Sequence, residues 1–124
     1  MKEKRKYLIL LGLLSCLLIG TIVHAASLSA SVNISKGTYQ VQTNAVVLSK
    51  SALCSAKNQA SSETNMTMRV YACWSGWPYS IEGTYSIAPN SQYTYTETQS
   101  KDSNFYIQLT GNYKCDGSAK VTAQ

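Results

Sequence analysis

Apolar and polar side chains alternate along most of the chain from residue 28 onward. Leu28, Ala30, Val32 and Ile34 alternate with Ser29, Ser31 and Asn33. Successive side chains of a strand point to opposite faces, so this run predicts a strand with one buried face. Lys36-Gly37 reads as a turn. Tyr39 and Val41 then alternate with Gln40 and Gln42, and the strand is expected to continue through Val46, Val47 and Leu48. Residues 50–64 fit two readings. Ala52, Leu53, Ala56 and Ala60 suit a short helix, while the first part alone suits a strand paired in a hairpin with residues 65–71. Met66, Met68, Val70, Ala72 and Trp74, alternating with Thr67, Arg69, Tyr71 and Cys73, give the clearest strand of the chain.

Residues 74–79 (Trp-Ser-Gly-Trp-Pro-Tyr) predict a loop, because Gly76 and Pro78 both interrupt pairing. A strand over 80–87, a turn at Pro89-Asn90 and a strand over 92–98 follow, the last with Tyr93 and Tyr95 on one face. Residues 100–104 read as a polar turn. Phe105, Ile107 and Leu109 then mark a strand, Asp116-Gly117 a hairpin turn, and Ala119, Val121 and Ala123 a final strand. About seven to eight short strands at this spacing predict an all-β fold: a single antiparallel β-sandwich, immunoglobulin-like or jelly-roll-like.

Composition sharpens this picture. Between residues 26 and 124, Leu, Ile, Val and Phe total only 15, against 26 Ser and Thr. Eight tyrosines, two tryptophans and two methionines in that span must therefore supply much of the core volume. A basic start (Met1 to Tyr7) precedes an apolar run (Leu8 to Val23), and Val23-His24-Ala25 fits the small-residue pattern of a signal-peptidase site. Residues 1–25 are thus expected to be a signal peptide cleaved after Ala25, with 26–124 a secreted domain. The leader style suggests a Gram-positive bacterium, and no stable membrane insertion is expected after cleavage.

Of eleven basic and six acidic residues, four (Lys2, Lys4, Arg5, Lys6) and one (Glu3) fall in that leader, leaving a net charge of +2. So small an excess does not suggest a nucleic-acid partner. The single histidine, His24, also lies in the leader. The remainder cannot form a His-based triad or a His metal cage. No metal, no cofactor and no catalytic residue are expected, and the chain is read as a non-enzyme. Glu82 and Glu97 fall on neighbouring predicted strands, where two solvated side chains are the plainer reading than a glycosidase pair.

Cys54, Cys73 and Cys115 follow the leader. In an oxidising compartment one disulfide and one leftover thiol are the simplest arithmetic. Three pairings are possible. If residues 51–57 and 65–71 form a hairpin, Cys54 lies opposite about Met68 and Cys73 falls well along the partner strand. Cys54–Cys115 is then the expected bridge, with Cys73 free or linking two chains, and Cys73–Cys115 is the alternative. The densest aromatic stretch, containing Tyr71, Trp74, Trp77 and Tyr79, is the candidate ligand-binding region, since aromatic faces stack on sugar rings and anchor interfaces. Tyr85, Tyr93 and Tyr95 form a second candidate strip, for which core packing is the plainer reading. These features suggest a small secreted binding module that contacts cell-surface glycan or protein. A bacteriocin-like or toxin-like protein acting on a bacterial envelope is a second reading. In outline the chain resembles small exported β-sandwich bacteriocins, although no signature stretch carries that likeness. A self-assembling surface protein, hence a homo-oligomer, is the third.

Overall fold

The computed structural model describes residues 28–124, so the expected leader lies outside the described residues. Seven strands follow one another: β1 (Ser29–Ile34), β2 (Gln40–Gln42), β3 (Ser49–Asn58), β4 (Met66–Trp74), β5 (Ser80–Ile87), β6 (Ser91–Thr110) and β7 (Gly117–Ala123). Every pairing is antiparallel, in the order β1-β7-β3-β6-β4-β5, with β2 also on β6.

The long strand β6 turns this path into two layers. Twenty residues at about 3.4 Å each would extend roughly 68 Å, far beyond the dimensions of a domain of this size. The strand instead changes partner midway. Its first half pairs with β3 (Ser51↔Thr98 through Asn58↔Ser91), and its second half with β4 (Trp74↔Ser103 through Thr67↔Thr110). At the corner, Gln99 to Asp102 stand opposite Lys50 alone, a register shift that bends the strand. One layer is therefore β1-β7-β3 and the first half of β6. The other is β5-β4, the second half of β6, and β2. The result is an all-β, jelly-roll-like sandwich.

The inner faces are complementary in size. The first layer presents small side chains: Ala52, Cys54, Ala56, Ala119 and Val121. The second presents bulky ones: Met66, Met68, Val70, Phe105, Ile107 and Leu109. Each large side chain gains about 1.5–3 kcal/mol by burial. This large-against-small packing explains how so few branched aliphatics fill a core.

Several expectations are corrected. Residues 49–58 form a strand and not a helix, because Ala52, Cys54 and Ala56 alternate inward while Leu53, Ser55 and Lys57 face out. That strand pairs with β6 and β7 and makes no hairpin with β4. The strand expected over 39–48 is only Gln40–Gln42. Beyond it, Thr43 and Val46 still donate their backbone N–H groups to the carbonyls of Ile107 and Phe105, as an irregular continuation of the edge. The polar turn expected at 100–104 is the corner inside β6. The turn expected at Asp116-Gly117 lies earlier, where the Lys114 N–H donates to the Gly111 carbonyl at 2.9 Å.

The Cys54–Cys115 bridge is not formed, and Cys54, Cys73 and Cys115 are free thiols. Cys54 lies opposite Val121, whereas Cys115 precedes Gly117, which lies opposite Asn58. Four residues of strand, about 13 Å, separate the two levels, against a disulfide limit near 7 Å between Cα atoms. Burial, aided by the nearby Glu97 charge, pushes the Cys54 thiol up to about 12, so it stays protonated and inert at neutral pH. Cys115 is fully buried, and its Sγ lies 3.3 Å from the Thr64 carbonyl. Cys73 is only half-buried. Iodoacetamide applied to the native protein is therefore expected to modify Cys73 among these three and spare the other two, as read by peptide mass mapping. Linkage of Cys54 to Cys115 in those maps would contradict the strand register.

Asp116 ties three loops at one end of the sandwich. Its carboxylate accepts the Lys36 N–H at 3.0 Å and the Ser61 hydroxyl at 2.9 Å. The Lys36 N–H, then the Ser61 hydroxyl, hold the carboxyl below its ordinary value of 3.8. A depressed carboxyl contributes stability above its unfolded pKa, and that stability is lost as pH falls through the lower, folded value. Asp116→Asn is thus expected to lower the melting temperature modestly at pH 7, with parent and variant converging as the pH falls below about 4. Identical acid profiles for parent and variant would contradict this.

Candidate functional site

The candidate site is built by three local irregularities at the other end of the sandwich. The first is the β4–β5 turn. The Trp77 N–H donates to the Trp74 carbonyl at 3.0 Å, and Gly76 has φ +81, a left-handed value that a side chain would resist. Pro78 then delays pairing until Ser80. Trp77 is left 64% exposed and Tyr79 40% exposed. The second is a bulge in β5. Val70 pairs with Gly83 and Tyr71 with Ile81, so Glu82 has no partner in the ladder and turns toward the open end. The third is the β6 corner, which delivers Gln99 and Lys101.

These irregularities converge on a hollow of about 270 Å3. Its aromatic walls are Trp74, Trp77 and Tyr79, with Pro78 between them and Ala72 below. Its polar side is Ser80, Glu82 and Gln99. The two indoles meet edge to face, with centroids 6.3 Å apart. The Lys101 ammonium stands 4.8 Å from the Trp74 ring centroid, a cation–π contact that holds this half-buried indole in place. The Ser80 hydroxyl donates to the Glu82 carboxylate. Gln99 Nε2 donates to the Glu97 carboxylate at 3.1 Å, which fixes the orientation of its amide. A cleft with apolar walls and a few oriented polar groups is suited to a small ligand with one apolar face and a hydroxyl-rich edge.

Trp74, Trp77 and Tyr79 are thus brought together as the sequence suggested. Tyr71 is not. The β4 alternation places it on the outer face, where it stacks on Tyr106 at 4.6 Å with rings 4° from parallel, and donates its hydroxyl to Gln108 Oε1 at 3.3 Å. Tyr79 reaches both surfaces, since its ring also meets Tyr106 edge-on at 4.8 Å. Burial, then the nearby Cys73 and Tyr106, pushes the Tyr79 phenol up, so it remains a hydrogen-bond donor at neutral pH. The Cys73 thiol faces the Trp74 and Trp77 carbonyls.

The tyrosine strip also assembles, though not on neighbouring strands. Tyr85 of β5 meets Tyr93 and Tyr95 of β6 across the open side of the sandwich, at 4.5 and 4.7 Å. Gly83 makes room for them: a Cβ there would stand 2.7 Å from the Tyr85 ring and 2.9 Å from the Tyr95 hydroxyl. Burial, then Tyr85, raises the Tyr95 phenol. Glu82 and Glu97 likewise sit on strands that are not paired. Alternation alone could not place Glu82 and Gln99 in the cleft, since both positions depend on broken registers. Gly83 inside a strand was the one available sign of a bulge.

Compared with known protein families and curated proteins, the chain matches none. Solved structures do resemble it. The crystal structure of PirA matches with TM-score 0.50 at 6% identity, over 79% of this chain and 94% of that one. A Yersinia pseudotuberculosis-derived mitogen matches with TM-score 0.45 at 10% identity, over 77% and 84%. A family 29 carbohydrate-binding module matches with TM-score 0.40 at 17% identity, over 76% and 67%. At such identities the PirA likeness speaks for the fold, and the other two are fainter.

Proposed function

We infer that the chain is a small exported, non-enzymatic binding module whose cleft takes a ring of a cell-surface glycan. The observation that carries this reading is the convergence of two indoles, a phenol, a carboxylate and an amide on one hollow. The rings would stack on the apolar face of a sugar, while Glu82 accepts hydrogen bonds from its hydroxyls and the Gln99 carboxamide exchanges them. Trp77, exposed beyond what the fold requires, would gain a partner on binding. Retention of the protein by insoluble bacterial cell walls, and its marked fall in Trp77→Ala/Tyr79→Ala, is the test. Equal retention of both would move the site elsewhere, and retention of neither would remove the glycan reading.

A further inference from the structure

A second pair of exposed rings stands at the opposite end of the sandwich. Cys115, two residues from Tyr113, lies against Thr64 just before β4 begins, whereas the tryptophan cleft lies where β4 ends. The length of that strand, on the order of 27 Å, separates the two places. Tyr39 is 49% exposed and Tyr113 60% exposed, and their rings stand 5.5 Å apart at 46°, an open wedge.

The backbone beneath Tyr113 makes its presence informative. Gly111 to Lys114 form a turn whose central residues, Asn112 and Tyr113, have φ +51 and +66. Such a turn ordinarily takes Asn-Gly, because a side chain at the second position is strained. The ring contact with Tyr39 offsets a strain of similar size, so the fold gains little from a tyrosine here. The turn itself is held by backbone bonds that need no side chain: the Gly37 N–H to the Tyr113 carbonyl at 2.9 Å, and the Gly111 N–H to the Tyr39 carbonyl at 2.9 Å. The chain therefore displays Tyr113 at a position that structure alone would give to glycine.

We propose that Tyr39 and Tyr113 form a second ring-stacking site, which takes one sugar ring of a glycan chain. The area decides the class of ligand. Two half-exposed tyrosines offer roughly 200 Å2, against about 800 Å2 per partner in a stable protein interface. A single ring with an apolar face fits that area, and the exposed Lys36, Gln40 and Lys114 nearby supply polar contacts to its hydroxyls. The site is separate from the cleft and rests on different observations. With both sites the protein would bridge glycan chains.

The test uses insoluble bacterial cell walls, chitin and cellulose as probes, with the parent, Tyr113→Gly, Trp77→Ala and the combined variant. Tyr113→Gly is expected to lower retention about 3- to 10-fold on the polymer that holds the parent, with its melting temperature within a few degrees. It should remove the retention that Trp77→Ala leaves behind. Equal retention with and without Tyr113 in both backgrounds would overturn the proposal, as would retention of the parent by none of the three polymers. A fall in melting temperature beyond about 8 °C would also overturn it, since the tyrosine would then be structural. The Trp77→Ala arm alone reports on the cleft, so failure of one site is distinguishable from failure of the other.

Discussion

Replacing Phe105 with alanine is expected to cost about 3–5 kcal/mol of folding stability. Phe105 is fully buried and heads the set of largest buried side chains. It follows the β6 corner directly and lies opposite Ala72 of β4. The facing layer is lined by alanines, Cys54 and Val121, side chains too short to close the void that truncation would open. The residual cavity would therefore persist, which puts the cost in the upper part of the usual range. A domain of this size has about 5–15 kcal/mol in total, so the loss would lower the melting temperature by roughly 15 °C or more. Leu53→Ala, at an outward position that is 37% exposed, should cost less than about 1 kcal/mol. Equal losses in the two variants, read by urea unfolding, would contradict the assignment of faces.

Trp77→Ala is expected to weaken glycan retention by between about 10- and 100-fold while leaving the melting temperature nearly unchanged. An indole that is 64% exposed has on the order of 100 Å2 left to bury against a ligand. At about 25 cal/mol per Å2 that is worth up to roughly 2.5 kcal/mol, and each 1.4 kcal/mol is a factor of ten. The fold should tolerate the change, because Gly76 and Pro78 shape the turn and the Trp77 contribution to it is a backbone N–H that alanine keeps. Trp74→Ala would be less clean, since that ring also packs under Lys101. A Trp77→Ala protein that binds as the parent does would place the ligand outside the cleft.

Alternation made the layer-facing residues legible wherever strands are regular. Met66, Met68, Val70 and Ala72 point inward as read, and so do Phe105, Ile107 and Leu109. The aromatic walls at Trp74, Trp77 and Tyr79 were legible for a different reason: Gly76 and Pro78 announce an unpaired loop in the sequence itself. What remained hidden depends on pairing, which a single sequence does not encode locally. The joining of residues 91–110 into one strand required the corner opposite Lys50. The expected Cys54–Cys115 bridge presumed a β3–β4 hairpin that does not exist, and Tyr71 was grouped with the loop although its parity assigns it to the outer face. The polar half of the cleft was least legible, because Glu82 and Gln99 reach it through a bulge and a corner.

Both tryptophans of the chain line the cleft, so its occupancy can be read optically. The most direct test is a titration of intrinsic tryptophan fluorescence with soluble oligosaccharides released from a cell wall that retains the protein. A saturable change in intensity or wavelength, absent from Trp77→Ala/Tyr79→Ala, is the predicted result. Retention on the wall with tryptophan emission unmoved by its fragments would contradict the cleft as the glycan site.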